Sequence, residues 1–137
     1  MSDIQAVLDR IPSPTGLVIA GCQNNESVIT VSWFTQISRN PPLIAISVAP
    51  ETSVTPPMAS SHHFVLALLG GNQEAVARTC GHHQDVEPNK IQAAGLEMTK
   101  SQTIDTPSVE NALLNLECKI LNQKIYGDHT LYVAEVV

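Results

Sequence analysis

Short apolar segments, separated by polar turns, follow one another along most of this chain. The segments of strand length are Gly16–Ala20, Val28–Phe34, Leu43–Ala49, Phe64–Leu69, Leu113–Leu121 and Thr130–Val137. Their high content of β-branched residues favours strands over helices. In Leu113–Leu121, Leu114 and every second residue after it are apolar, and the residues between them are polar. This period of two is typical of a half-buried antiparallel strand.

Helical signals are few. We predict one helix over Gln73–Cys80, with Asn72 as its N-terminal cap and Gly81 at its C-terminal end. The pair Pro56-Pro57 favours the start of a second short helix, because proline is tolerated in the first helical turn. Strands outnumber helices, without the strand–helix alternation of a parallel sheet. The pattern predicts a mainly β fold, an antiparallel barrel with a few short helices, in a single domain over residues 1–137.

Charged side chains are scarce, at 15% of the 137 residues, and Glu26 is the one charge between Ile11 and Ser38. So little charged surface predicts that a second subunit covers part of the domain, and we expect a homodimer. With a net charge of −6, the chain lacks the excess of basic residues that binding to nucleic acid needs. No run of about 18 apolar residues occurs, so no membrane span is expected. The N-terminus shows no secretory signal, which favours a cytoplasmic protein.

The common catalytic motifs are missing. The sequence has no GxGxxG or Walker phosphate loop, no HExxH zinc motif and no GxSxG nucleophile elbow. Cys22, Cys80 and Cys118 are too far apart for a CxxC knuckle, so we interpret them as reduced, packed thiols. We interpret the doublets His62-His63 and His82-His83 as solvated, since adjacent side chains diverge too far to share one ion. No metal site and no catalytic acid, base or nucleophile is predicted.

The segment Thr30–Val48, TVSWFTQISRNPPLIAISV, has the most informative composition. It places hydroxyl and amide side chains on a strand with the only tryptophan, Trp33, then turns at Pro41-Pro42 into a strand with Ser47 near its end. Such groups suit a planar heteroaromatic ligand with a phosphate tail, although a polar sheet face has the same composition. Trp33 itself suits either a ligand wall or the core. We expect the rigid proline turn to aim Ser38 and Ser47 at one ligand.

This segment resembles the signature of the flavin reductase-like, FMN-binding split β-barrel family, which reads T-(V/A)-S-W, then S-x-x-PP, then a strand ending in S-(I/V). Later stretches are similar to further family motifs in the same order. They are FVLALL at Phe64–Leu69, the helix Gln73–Gly81, LECK at Leu116–Lys119 and GDHTLYVAEV at Gly127–Val136. The resemblance covers roughly residues 14–137. It implies an antiparallel split β-barrel.

The resemblance also implies a flavin reductase that moves electrons from NAD(P)H to flavin, with FMN or FAD as the flavin, and a homodimer with flavin near the subunit interface. The flavin would perform the chemistry, which agrees with the lack of catalytic side chains. By position, the implied cofactor-binding residues are Thr30, Val31, Ser32, Trp33, Gln36, Ser38, Ser47, Val48, Ala49, Thr52 and Ser53, and the implied substrate contact is His129. Two alternatives stay open: an FMN-binding electron carrier without NAD(P)H activity, and a split-barrel dimer that has lost flavin.

Four positions depart from the family pattern. Ala67 stands where the family has Asn, Cys80 where it has Phe, Asn89 where it has Asp and Ile91 where it has Phe. These departures bear on whether flavin binding is retained.

The phosphate of a flavin would have no cation in the loop after Ser47. No Arg or Lys occurs between Arg39 and Phe64. We therefore expect hydroxyl and amide groups around Thr52 and Ser53 to bind the phosphate, with Lys90 or Arg78 as the next candidates.

Overall fold

The structure is a computed structural model that describes residues 2–81 and 90–137. The helices are α1 (Ser2–Leu8), α2 (Thr55–Ser61), α3 (Glu74–Cys80) and α4 (Lys90–Ala93). The strands are β1 (Gly16–Ala20), β2 (Ser27–Val31), β3 (Phe34–Ser38), β4 (Leu43–Val48), β5 (His63–Leu68), β6 (Met98–Thr99), β7 (Ser108–Val109), β8 (Leu114–Tyr126) and β9 (His129–Val136). Within the described ranges, no helix is long and apolar enough to cross a membrane.

Seven strands form one antiparallel sheet in the order β2-β1-β5-β8-β9-β4-β3, and β6 pairs with β7 in a separate small ladder. The edge strands β2 and β3 are joined only by Ser32 and Trp33. In a flat sheet these edges would lie about 29 Å apart, whereas the link spans at most about 11 Å. The sheet therefore curls until its two edges meet at Ser32 and Trp33, a point we call the seam. This antiparallel half-barrel confirms the predicted fold class.

Apolar side chains pack on both faces of the sheet. Inside the curl, Phe64 and Ile46 lie in a core that α2 closes with Met58. On the outer face, Leu17 and Val65 pack in a second core with side chains from α3 and the β6–β7 ladder. β1 is consequently buried along its whole length, which explains its unbroken apolar sequence.

The prediction of one continuous strand over Val28–Phe34 is wrong, because this segment belongs to two different strands. β2 ends at Val31 and β3 begins at Phe34, on opposite edges of the sheet. The chain changes edge at the seam, and nothing in the local alternation marks that change.

β8 is longer than the predicted Leu113–Leu121 segment and runs to Tyr126. Its far half pairs only with β9 and is exposed, so it lacks an apolar face. The predicted alternation holds for Cys118 and its apolar neighbours, which pack on the inner core. Leu114, at the start of the strand, is exposed instead.

Both predicted helices are present, but the N-cap of α3 is Gln73 and not the predicted Asn72, and its side chain makes no capping hydrogen bond to the helix. The Gln73 side chain instead accepts a hydrogen bond from Gly70 N at 2.7 Å, in the 3₁₀ turn Gly71–Gln73 that precedes α3. At the other end, Gly81 follows the last helical residue, as predicted. Pro56-Pro57 occupies the first turn of α2, also as predicted.

Two polar side chains of β8 fasten the segment that precedes it. The Glu117 carboxylate accepts hydrogen bonds from Gln102 N at 2.9 Å, from Thr103 N at 2.7 Å and from the Thr103 hydroxyl. Partial burial opposes ionisation, but these hydrogen bonds prevail and hold the pKa of Glu117 below its ordinary value. Asn115 both donates to and accepts from the Val109 backbone at 2.9 Å. β8 therefore positions the β6–β7 ladder over the outer core.

Candidate functional site

A cavity of about 280 Å³ opens at the seam. Its walls come from β2, the seam, the end of β4 and the loop after it, the end of α3, the start of α4 and the first residue of β9. The lining residues are Ile29, Thr30, Val31, Ser32, Trp33, Ser47, Val48, Ala49, Glu51, Thr52, Ser53, Cys80, Gly81, Lys90 and His129. Because β2 and β4 lie in opposite halves of the strand order, the curl of the sheet is what brings these residues together.

Most of the residues singled out in the sequence meet in this cavity. They are Thr30, Val31, Ser32, Trp33, Ser47, Val48, Ala49, Thr52, Ser53 and His129. They come from three separate stretches of the chain, so the fold supplies a proximity that sequence spacing alone does not.

Gln36 and Ser38 lie elsewhere, in a separate and largely apolar groove of about 610 Å³. In the β3–β4 hairpin Ser38 is opposite Leu43, near the turn. Ser47 is four residues beyond Leu43 on β4, which places it about 14 Å from Leu43 at ~3.4 Å per residue. The expectation that Pro41-Pro42 aims Ser38 and Ser47 at one ligand is therefore wrong, because the two serines are at opposite ends of the hairpin.

Trp33 and His129 form an aromatic wall of the cavity. Their ring centroids are 4.6 Å apart, with the planes tilted by 43°. Trp33 is 53% exposed, which excludes a core role, and its carbonyl accepts a hydrogen bond from Ser47 N at 2.9 Å. His129 Nδ1 lies 2.8 Å from Asp128 Oδ1, and this hydrogen bond holds the pKa of the Asp128 carboxyl below its ordinary value. The bond also orients the imidazole beside the indole.

Another part of the cavity wall is formed where α3 ends against β2. The Thr30 hydroxyl donates a hydrogen bond to the Ala77 carbonyl. A Cβ at Gly81 would lie 3.1 Å from the Ala77 oxygen and 3.4 Å from Thr30 Cβ. Glycine is therefore the residue that lets α3 finish this close to β2, with its last residues facing the cavity.

The loop between β4 and α2 presents hydroxyl groups to the cavity. Val54 is fully buried and anchors the loop in the inner core. Thr52 Oγ1 lies 3.0 Å from Thr55 Oγ1, and Thr55 N donates to the Thr52 carbonyl at 3.2 Å. Ser53 and Glu51 flank Thr52, and all three line the cavity.

Of the two cationic candidates, only Lys90 reaches the cavity. It lies at the start of α4 and its Nζ donates to the Cys80 carbonyl at 3.2 Å, across the end of α3. Arg78 lies on an exposed part of α3 and pairs with Glu74 one turn earlier. Lys90, which the sequence suggested only as a secondary candidate for binding the phosphate, therefore lines the cavity.

Four lining residues were not predicted: Ile29, Glu51, Cys80 and Gly81. Ile29 and Glu51 are direct neighbours of predicted residues, so sequence adjacency was the available signal. Cys80 and Gly81 reach the cavity only because α3 packs on β2, and no local pattern predicts that contact. His82-His83 and Asn89 lie outside the described residues.

The cavity combines three kinds of chemistry. Val31 and Val48 supply apolar surface and Trp33 an aromatic ring, which together suit a planar ring system. Hydroxyl groups suit a polyol, and the Lys90 ammonium suits an anion such as phosphate.

Comparison with known proteins decides the family. The sequence matches the "Flavin reductase like domain" family over residues 8–137. The chain belongs to this family. Relatives of this flavin reductase-like domain include the NADH-dependent flavin reductase of a Rhodococcus species, 26% identical over 97% of this chain and 73% of that protein. The NADH-dependent FAD reductase of Streptomyces globisporus is 27% identical over 90% of this chain and 68% of that protein.

A solved structure shows the same fold. The Streptomyces globisporus NADH:FAD oxidoreductase SgcE6, in complex with NAD and FAD fragments, matches this flavin reductase-like domain with a TM-score of 0.87. The identity is 24%, and the match covers 99% of this chain and 79% of that one. This flavin reductase-like domain and that oxidoreductase therefore share the antiparallel half-barrel fold.

Two departures from the family motifs have different positions in this flavin reductase-like domain. Ala67 is buried in the outer core, away from the cavity. Cys80 is also buried in that core, but it lines the cavity as well. The change at Ala67 therefore alters packing on the outer face without removing a group from the cavity.

Proposed function

We propose that this flavin reductase-like domain transfers electrons from NAD(P)H to a flavin held in the seam cavity. The observation that carries the proposal is that an aromatic wall, a hydroxyl-bearing loop and the Lys90 ammonium converge on one cavity. Relatives named as NADH-dependent flavin and FAD reductases support the reaction.

The residues present fit a flavin. Val31, Val48 and Trp33 would contact the isoalloxazine ring, and Ser32 and Ser47 the ribityl chain. The groups that would hold the phosphate are Thr52, Ser53 and Lys90. The volume of about 280 Å³ is near the lower end of small-molecule sites, ~300–1,000 Å³, so part of the flavin would extend beyond the mouth.

The protein groups orient the reactants and do not exchange electrons themselves. A bound flavin supplies the two-electron chemistry. Trp33 and His129 present a fixed aromatic surface on which a nicotinamide ring can lie, and Asp128 holds the imidazole in place. The apolar side chains of Val31 on β2 and Val48 on β4 would limit the access of water to a bound ring.

Tryptophan fluorescence tests the proposal directly, because Trp33 is the only tryptophan of the chain and lines the cavity. Titration with FMN, FAD or riboflavin should quench this emission and saturate. As a control, a Trp33→Phe variant should lose the quenching signal while the absorbance of the bound flavin still reports binding. If none of the three flavins binds, the proposed function fails.

The phosphate loop has its own prediction. Replacing Thr52 and Ser53 together by Ala should weaken FMN binding by about 1–3 kcal/mol, since hydrogen bonds to a charged group are lost. Riboflavin, which lacks the phosphate, should bind as before. Ser60→Ala, at an exposed serine of α2 outside the cavity, is the matched control. Equal weakening of FMN and riboflavin would show that this loop does not bind the phosphate.

Addition of NADH or NADPH without oxygen separates the reductase from the alternatives. In a reductase, the flavin absorbance near ~450 nm should bleach within the time of mixing. Flavin that binds but does not bleach would identify an electron carrier. A protein that takes up no flavin would fit the remaining alternative, a split-barrel dimer that has lost flavin.

We also propose that the protein is a homodimer. The groove of about 610 Å³ is lined mainly by apolar side chains, and Ile37, Leu113 and Leu121 are exposed large apolar residues. A second subunit that covers such surface removes it from water. Light scattering should give twice the chain mass of 14.7 kDa. A stable monomer at micromolar concentration would contradict the dimer.

Finally, we propose that residues 1–137 act as a single domain in the cytoplasm. The inner and outer cores share β1 and β5, which supports one cooperative unit. Cys22, Cys80 and Cys118 form no disulfide with one another, which fits a reducing compartment. We expect one thermal unfolding transition and recovery in the cytosolic fraction; two transitions, or recovery with membranes, would contradict this.

A further inference from the structure

An acidic residue lines the seam cavity, adjacent in sequence to the hydroxyl residues assigned to the flavin phosphate. Glu51 directly precedes Thr52 and Ser53, and all three line the cavity together with Lys90. Glu51 is exposed, whereas Val54 after it is fully buried and fixes the loop. A carboxylate is therefore held on the same short loop as the two hydroxyls.

We propose that Glu51 is a specificity-determining residue that disfavours flavins with a terminal phosphate monoester relative to flavins with less charge at this loop. The inference rests on the proposed flavin site. Lys90 is the cationic residue of the cavity lining, and Glu51 adds a carboxylate to the same lining. A phosphate monoester adds between −1.5 and −2 near neutral pH. That excess charge raises the free energy of the FMN complex.

The flavins differ in the charge that they bring to this loop. FMN ends in a nearly dianionic monoester. FAD has a pyrophosphate with one charge on each phosphate, so a single charge faces the loop if the second phosphate extends outward. Riboflavin has no phosphate charge. Repulsion by Glu51 should therefore be strongest for FMN, weaker for FAD and absent for riboflavin.

The test is a set of affinities measured by Trp33 quenching with Glu51→Gln, which keeps the shape of the side chain and removes its charge. At low ionic strength, FMN affinity should rise about three- to tenfold, FAD affinity about two- to threefold, and riboflavin affinity should stay constant. Raising the salt to about 0.5 M should remove most of the gain for FMN. Glu51→Lys should raise FMN affinity further.

The matched control is Glu110→Gln, which removes an exposed glutamate that does not line the cavity and should change none of these affinities. If Glu51→Gln changes FMN and riboflavin affinity by the same factor, or changes neither, Glu51 does not determine specificity, while the flavin site itself stands. If the wild-type protein binds none of the three flavins, both this inference and the proposed function are overturned.

Discussion

Replacing Glu117 by Gln should destabilise the domain at neutral pH and have little effect in acid. The carboxylate accepts three hydrogen bonds from Gln102 and Thr103, whereas an amide has one acceptor oxygen and turns an NH₂ group towards the remaining donors. Hydrogen bonds to a charged group contribute about 1.5–3 kcal/mol each when buried. Glu117 is only partly buried, so we discount for solvent screening and expect a total loss of about 1–2 kcal/mol. For a domain of this size that is a drop of about 3–10 °C in Tm.

The pH dependence follows from the lowered pKa of Glu117 in the folded state. A group whose pKa is lower when folded stabilises the protein above its unfolded pKa, here near 4.5, and that stabilisation is lost as the pH falls through the folded value. The amide of the Glu117→Gln variant does not titrate, so it adds nothing to this pH dependence. The Tm gap between wild type and Glu117→Gln should therefore start to narrow as the pH falls to about 4.5 and should continue to narrow below it.

Thermal melts by calorimetry at pH 7, 5 and 3.5 measure this gap. Glu97→Gln, at an exposed glutamate of the same region, controls for the general loss of a negative charge. If the gap for Glu117→Gln is the same at all three pH values, or matches that of Glu97→Gln, the carboxylate does not fasten the loop.

Two other predictions concern cysteines and glycines. Alkylation of the native protein at pH 8, followed by mass spectrometry, should modify Cys22 first. Burial raises the pKa of the Cys118 thiol to about 12, and Cys80 is fully buried. Early labelling of Cys118 would refute this prediction. Gly21→Ala should lower Tm more than Gly127→Ala, although both glycines have positive φ. A Cβ at Gly21 would lie 2.4 Å from a backbone oxygen, whereas a Cβ at Gly127 would meet nothing within 4 Å. Equal losses of Tm would show that only φ matters.

Strands are predictable from this sequence wherever burial leaves a local mark. β1 and β5 are buried on both faces and read as unbroken apolar segments. The far half of β8 has no buried face, so nothing in its composition indicates that the strand continues to Tyr126. The break at Ser32 and Trp33 gives no local signal either, because a chain that leaves one sheet edge for another keeps extended geometry on both sides of the step.

The candidate site divides in the same way. Residues on β2, β4 and the loop after β4 were found because a contiguous motif contains them. Lys90 and Gly81 reach the cavity through the packing of α3 and α4 against β2, which is a long-range contact with no periodic signature. Gln36 and Ser38 were assigned to the site because they share the motif, yet the hairpin turns them into the other groove.

The two-residue seam has a consequence for how the protein responds to its ligand. The cavity takes residues from β2, at one edge of the seven-stranded sheet, and from β4, next to the other edge, so its wall is complete only when the strands between β2 and β4 have paired. A partly assembled sheet offers no partial binding site, and the free energy of ligand binding is linked to closure of the entire sheet. Ligand should therefore slow amide hydrogen exchange throughout the sheet, including strands such as β8 that do not touch the cavity.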